Sequence, residues 1–174
     1  YTRLFLPEIY KAQENEERKK NDASVRGGVD KTGKWGSGGV TIDTISSDKG
    51  VYKETDATVS ITYSLSVEKN FKDEIIPGIT IKDERGQGVC GTNSTLLKSK
   101  KIHTNETGKK IEFTWIIPNI FNQGKYTVEP AILSATTTNT LQWWDDAMAF
   151  RVINEASTPY PVSPHIVLKI NTKG

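Results

Sequence analysis

The chain has 174 residues, 35% of them hydrophobic and 25% charged, with a formal net charge of +2. This length fits one domain with a tail. No apolar run approaches the roughly 18 residues of a membrane-spanning helix, and the mild, interspersed charge lacks the dominant basic face of a nucleic-acid binder. One cysteine, Cys90, rules out an intramolecular disulfide framework and fits a reducing compartment.

Tyr1-Thr2-Arg3 shows no signal-peptide features and reads as mid-sequence, so further chain is expected ahead of it. The spacing predicts a short helix over Pro7–Lys19, with Lys11–Lys20 polar all round. Leu4, Phe5, Leu6 and Ile9 form an apolar cluster at its start, either a dock for a neighbouring domain or a frayed terminus. Asn21–Gly39 holds six glycines and little that packs, so it reads as a flexible linker.

From Val40 the texture becomes β. Val40, Ile42 and, out of step by one, Ile45 mark a first strand. Ala57–Glu68 alternates strictly: Val59, Ile61, Tyr63, Leu65 and Val67 on one face, Ser60, Thr62, Ser64 and Ser66 on the other. Ile75–Asp83 is the next strand, ended by an Asp83–Gly86 turn, and Val89–Thr95 follows. Ile111, Phe113, Trp115 and Ile117 alternate up to Pro118, with Trp115 assigned to the core. A strand from Gly124 carries Tyr126, Val128 and Ile132; after a Ser134–Thr140 loop, Leu141–Trp144 and Ala147–Ile153 flank Asp145-Asp146. Seven to nine short strands over about 115 residues predict an all-β, immunoglobulin-like antiparallel β-sandwich, bounded at 35–154 and preceded by a helix and linker at 1–34. In the tail, 155–174, three prolines form an extended spacer, and His165–Ile170 reads as an extra C-terminal strand. It can pair with its own sheet or be exchanged with another chain's, giving a homodimer.

Catalytic material is sparse. Asp145 and Asp146 are adjacent, so on a strand they point to opposite faces and form no acid–base pair. His103, His165 and Cys90 lack partners at ligand spacing, so no metal and no cofactor is expected. No GxxxxGK[ST] loop is present, and Cys90 reads as a buried strand residue. Asn93-Ser-Thr and Asn105-Glu-Thr match the glycosylation triplet but, without a secretory signal, read as chance.

What remains suits sugars, whose apolar faces stack on aromatic rings while amides, carboxylates and hydroxyls meet their hydroxyl groups. Gln142, Trp143, Trp144 and Asp145 offer that mixture, and an extended segment must turn one tryptophan away from the core. Thr127 and Glu129 on one strand, and Ser60, Thr62 and Ser64 on another, are further candidates; such a polar face is otherwise plain solvated surface. A shallow site of this kind predicts millimolar to micromolar affinity, about −4 to −8 kcal/mol.

Four segments carry a resemblance. Trp35-Gly36-Ser37-Gly38, Gly88-Val89-Cys90-Gly91-Thr92-Asn93-Ser94, Gly124-Lys125-Tyr126-Thr127-Val128 and Asp146-Ala147-Met148-Ala149-Phe150-Arg151-Val152 keep the order and spacing of a known domain. Over about 35–153 the chain resembles the C-terminal domain of Wzt, the ATPase subunit of the ABC transporters that export bacterial O-antigen polysaccharide. The resemblance implies a non-catalytic, carbohydrate-binding β-sandwich that recognises the completed O-antigen, commonly at its non-reducing end, before export. It implies an ATPase domain in the same chain, a membrane permease partner, a homodimer, and a place in the cytoplasm, peripheral at the inner membrane. No nucleic-acid partner is implied. Two other functions stay open: a structural dimerisation domain, motivated by the tail strand, and a glycosidase using Asp145 or Asp146 with a distant Glu such as Glu112 or Glu129.

Overall fold

In the computed structural model the described residues are 32–105 and 110–172. The predicted helix at Pro7–Lys19, the cluster Leu4–Ile9 and the linker up to residue 31 lie outside them. Among the described residues eleven strands are formed: β1 Lys34–Trp35, β2 Val40–Ser47, β3 Val51–Lys53, β4 Thr58–Val67, β5 Glu74–Lys82, β6 Gly88–Asn93, β7 Ile102–His103, β8 Lys110–Pro118, β9 Gly124–Ser134, β10 Thr140–Trp144 and β11 Met148–Ile153.

They build two sheets. The smaller is β2-β4-β8, antiparallel throughout. The larger has eight strands around β9. One edge of β9 pairs with β5 along its length; the other pairs with β11 over its first half and with β10 over its second. Then β1 extends the sheet beyond β10, β6 and β7 extend it beyond β5, and β3 lies beyond β11. The β11–β3 pair is parallel, so the large sheet is mixed rather than purely antiparallel.

Alternation drives this packing. The apolar set of β4 is wholly buried at Val59, Ile61, Tyr63 and Leu65, and meets Ile75, Ile79, Ile81, Val128, Ile132 and Phe150 of the large sheet. The two inner faces interdigitate, as sandwich sheets do. Trp115 belongs to this core, as its alternation predicts. Tyr63 donates its hydroxyl to the Gly78 carbonyl at 2.9 Å, tying the small sheet to the large one. The out-of-step Ile45 follows a register shift between Ile42 and Thr44, a bulge that returns both isoleucines to the core side.

The tail departs from expectation. Val162 makes an isolated bridge to Phe121 and the Ser163 amide donates to the Ile120 carbonyl at 2.6 Å. Beyond that, 164–172 forms no ladder within the chain, and Ile166, Val167, Leu168 and Ile170 stand exposed. The alternative in which this segment joins its own sheet is therefore not formed.

Candidate functional site

Strand parity sorts the predicted site residues onto two sides of the sandwich. On β9, Tyr126, Val128 and Ile132 face the core, which turns Thr127, Glu129 and Ala131 outward. Across the ladders, Lys82 meets Thr127, Thr80 meets Glu129, and Trp143 meets Ala131. Trp143 therefore shares the outer face of the large sheet with Thr127 and Glu129. Ser60, Thr62 and Ser64 lie on the outer face of the small sheet, a sandwich thickness away. Two of their hydroxyls are engaged there: Thr62 with Thr114 at 2.9 Å and Ser64 with Thr44 at 2.7 Å. The structure does not bring the serine–threonine face and the tryptophan face into one site.

The tryptophan pair also separates by parity. Trp143 stacks on Trp35 of β1, its ladder partner, with ring centroids 5.8 Å apart and 15° between planes. Trp144 turns to the opposite face, where it packs partly against the core and lies 4.2 Å beneath the Lys34 ammonium. Gln142 is likewise committed inward, its side-chain oxygen accepting the Ile42 amide of β2 at 2.5 Å. Asp145 and Asp146 occupy the β10–β11 turn; the Asp145 amide donates to the Gly33 carbonyl at 3.0 Å, and Asp146 has φ of 45°.

Glu129 is the unexpected element. Its side chain is fully buried although it lies on the outer face. One oxygen accepts the Trp143 indole N–H at 2.9 Å. The other forms an ion pair with the Lys82 ammonium and lies 3.4 Å from the Asp146 amide. A buried carboxylate persists only when paired and hydrogen-bonded. Glu129 thus joins β5, β9, β10 and the β10–β11 turn, and fixes the plane of Trp143. Its oxygens meet protein donors, so the carboxylate orients the indole from below. Next to it, Thr127, Asp146, Ala149, Lys125, Asp83 and Glu84 line a shallow depression of about 480 Å³.

Trp35 is the residue that sequence reasoning missed. Its signals were an aromatic side chain inside a glycine-rich stretch and its place at the head of the Trp35-Gly36-Ser37-Gly38 segment. Gly36 explains the composition: at φ of 143°, a Cβ there would lie 2.3 Å from the Leu141 carbonyl oxygen, so glycine lets β1 close onto β10. Cys90, half-buried on β6, has its thiol pushed up by burial, away from the reactive thiolate. Among the described residues no group of three or more His, Cys, Asp and Glu side chains could hold a metal ion, and no helix is long and apolar enough to cross a membrane.

The family model of the Wzt C-terminal domain matches residues 31–162. A crystal structure of the C-terminal domain of Wzt superimposes with a TM-score of 0.68 at 22% identity, covering 79% of this chain and 87% of that one. Weaker likenesses include the Pseudomonas fluorescens alkylpurine DNA glycosylase AlkC bound to DNA containing an abasic site analog, at TM-score 0.44 and 12% identity, covering 66% of this chain and 30% of that one. A Bacteroides uniformis beta-glucuronidase gives 0.41 at 18% identity, covering 60% of this chain and 12% of that one. Both are too distant to carry an argument. No curated protein matches the chain.

Proposed function

The chain belongs to the Wzt C-terminal domain family, and from that premise we propose that it is a non-catalytic carbohydrate-binding domain recognising completed O-antigen polysaccharide for export. The contact face is the outer side of the large sheet, centred on Trp35 and Trp143. The observation that carries this reading is the Trp35–Trp143 stack held from beneath by a buried carboxylate. A pyranose ring stacks on the open face of an indole, and a fixed ring loses little entropy when it binds. Thr127 and the Asp145-Asp146 turn supply polar groups beside them. Glu129 acts as a positioning residue. The ATPase domain of the same chain and a membrane permease are its working partners, at the cytoplasmic side of the inner membrane.

A second reading rests on a separate observation. Ile166, Val167, Leu168 and Ile170 are 65–80% exposed on an extended segment beyond three prolines. Exchange of that segment between two copies would cover it and give a homodimer. A domain doing only this would dimerise without touching glycan.

Titration of intrinsic tryptophan fluorescence with O-polysaccharide from the source organism tests the first reading. Trp143→Ala should weaken binding by tenfold or more, as loss of a central aromatic anchor does. Affinity within about twofold of the parent would place the contact elsewhere.

A further inference from the structure

Residues 32–38 lie along β10 as a strap, and both tryptophans of β10 grip it. The Thr32 carbonyl accepts the Trp144 indole N–H at 3.0 Å, and the Gly33 carbonyl accepts the Asp145 amide at 3.0 Å. Lys34 lies over the Trp144 ring and donates to the Ile42 carbonyl of β2 at 2.6 Å. Trp35 stacks on Trp143. The Ser37 and Gly38 amides donate to the Thr140 and Leu141 carbonyls at 3.0 and 2.9 Å. In the ladder, this strap pairs only with β10, over two residues. A strap at the sheet edge, held by contacts of its own and not by a long ladder, can open without unfolding the sandwich.

We propose that this strap is a ligand-responsive element that transmits glycan occupancy to the chain ahead of Thr32. The inference rests on the proposed glycan face. A polymer lying across both indoles touches Trp35 only when the strap is docked. It therefore binds the docked state more tightly and must favour it. By reciprocity, fixing the strap tightens glycan binding. Residues 1–31 join the sandwich at Thr32, so the docked strap holds their attachment point against Trp144 and, through Lys34, against the small sheet.

Amide hydrogen exchange followed by NMR, on the full chain with and without saturating purified O-polysaccharide, tests this. Protection at Ser37 and Gly38 should rise about threefold to tenfold, the worth of one added aromatic contact. Core amides such as Ile61 should not change. Trp35→Ala should abolish the rise while the Trp143 indole resonance still shifts with polymer; Trp35→Phe, which keeps a ring, should restore it. A shifting Trp143 indole with unchanged protection at Ser37 and Gly38 would overturn the strap and leave the glycan face standing. No shift at Trp143 at all would overturn the glycan face, and the strap with it.

Discussion

Replacing Glu129 with alanine removes the group on which the outer face converges. Three effects set the magnitude. The Trp143 indole loses its acceptor, which costs about 1–3 kcal/mol for a donor left unsatisfied. Lys82 loses its counter-charge; breaking a fully buried pair costs about 3–5 kcal/mol. The Lys82 side chain keeps 18% exposure, however, so its ammonium reaches water and this term falls below that range. The Asp146 amide lies at 3.4 Å and contributes little. The sum is about 3 kcal/mol, or a fall in Tm of about 6–12 °C for a domain of this size. Urea unfolding should show a lower midpoint with unchanged m. Glu129→Gln keeps an acceptor for Trp143 while losing the charge, so it should fall between parent and alanine. Glu129→Ala within about 0.5 kcal/mol of the parent would refute the account of a load shared among Trp143, Lys82 and the turn.

Other variants probe separate links. Tyr63→Phe removes the buried hydroxyl donor from the Gly78 carbonyl and should cost about 0.5–1.5 kcal/mol in urea unfolding. Gly36→Ala drives a Cβ into the Leu141 carbonyl and should weaken the near-ultraviolet circular dichroism of the Trp35–Trp143 stack; an unchanged spectrum would contradict the close approach. Burial, with the Asp48 hydrogen bond second, pushes the Tyr52 phenol up to about 12. A raised folded-state pKa adds stability that is fully present below the unfolded value near 10 and is lost as pH rises towards 12. Tyr52→Phe should therefore flatten the fall in stability between about pH 10 and 12. Truncation after Pro164 should leave the sandwich folded and convert a dimer to a monomer by sedimentation; an unchanged mass would refute strand exchange.

Legibility in the sequence followed the strength of local alternation. β4, β5, β8, β9 and β11 were readable within a residue or two at each end, because each carries apolar residues at every second position, on its core-facing side, even where the outer side holds Ile116, Ala131 or Ile153. β1, β3 and β7 were not, since strands of two or three residues carry no period; they form because longer neighbours offer ladder partners. The tail failed in the opposite way. Its apolar run promised a strand, but no edge of its own sheets takes it up. At the site, parity correctly required one outward tryptophan. It did not reveal which one, because that depends on Ala131 facing Trp143 across a shifted register. Glu129 looked like a surface carboxylate because its ion pair with Lys82 spans 47 residues, a separation no local pattern encodes. Trp35 lay among glycines that read as a linker, although Gly33, Gly36, Gly38 and Gly39 hold positive φ values that shape the strap.

The central claim is that polysaccharide is recognised on the outer face of the large sheet. A backbone NMR titration of this chain with O-polysaccharide from its own source, beside a foreign one, tests it most directly. The account predicts shifts with the cognate polymer alone, clustered on Trp35, Thr127, Trp143 and the Asp145-Asp146 turn. Shifts clustered instead on Ser60, Thr62 and Ser64, or none from a folded protein, would contradict it.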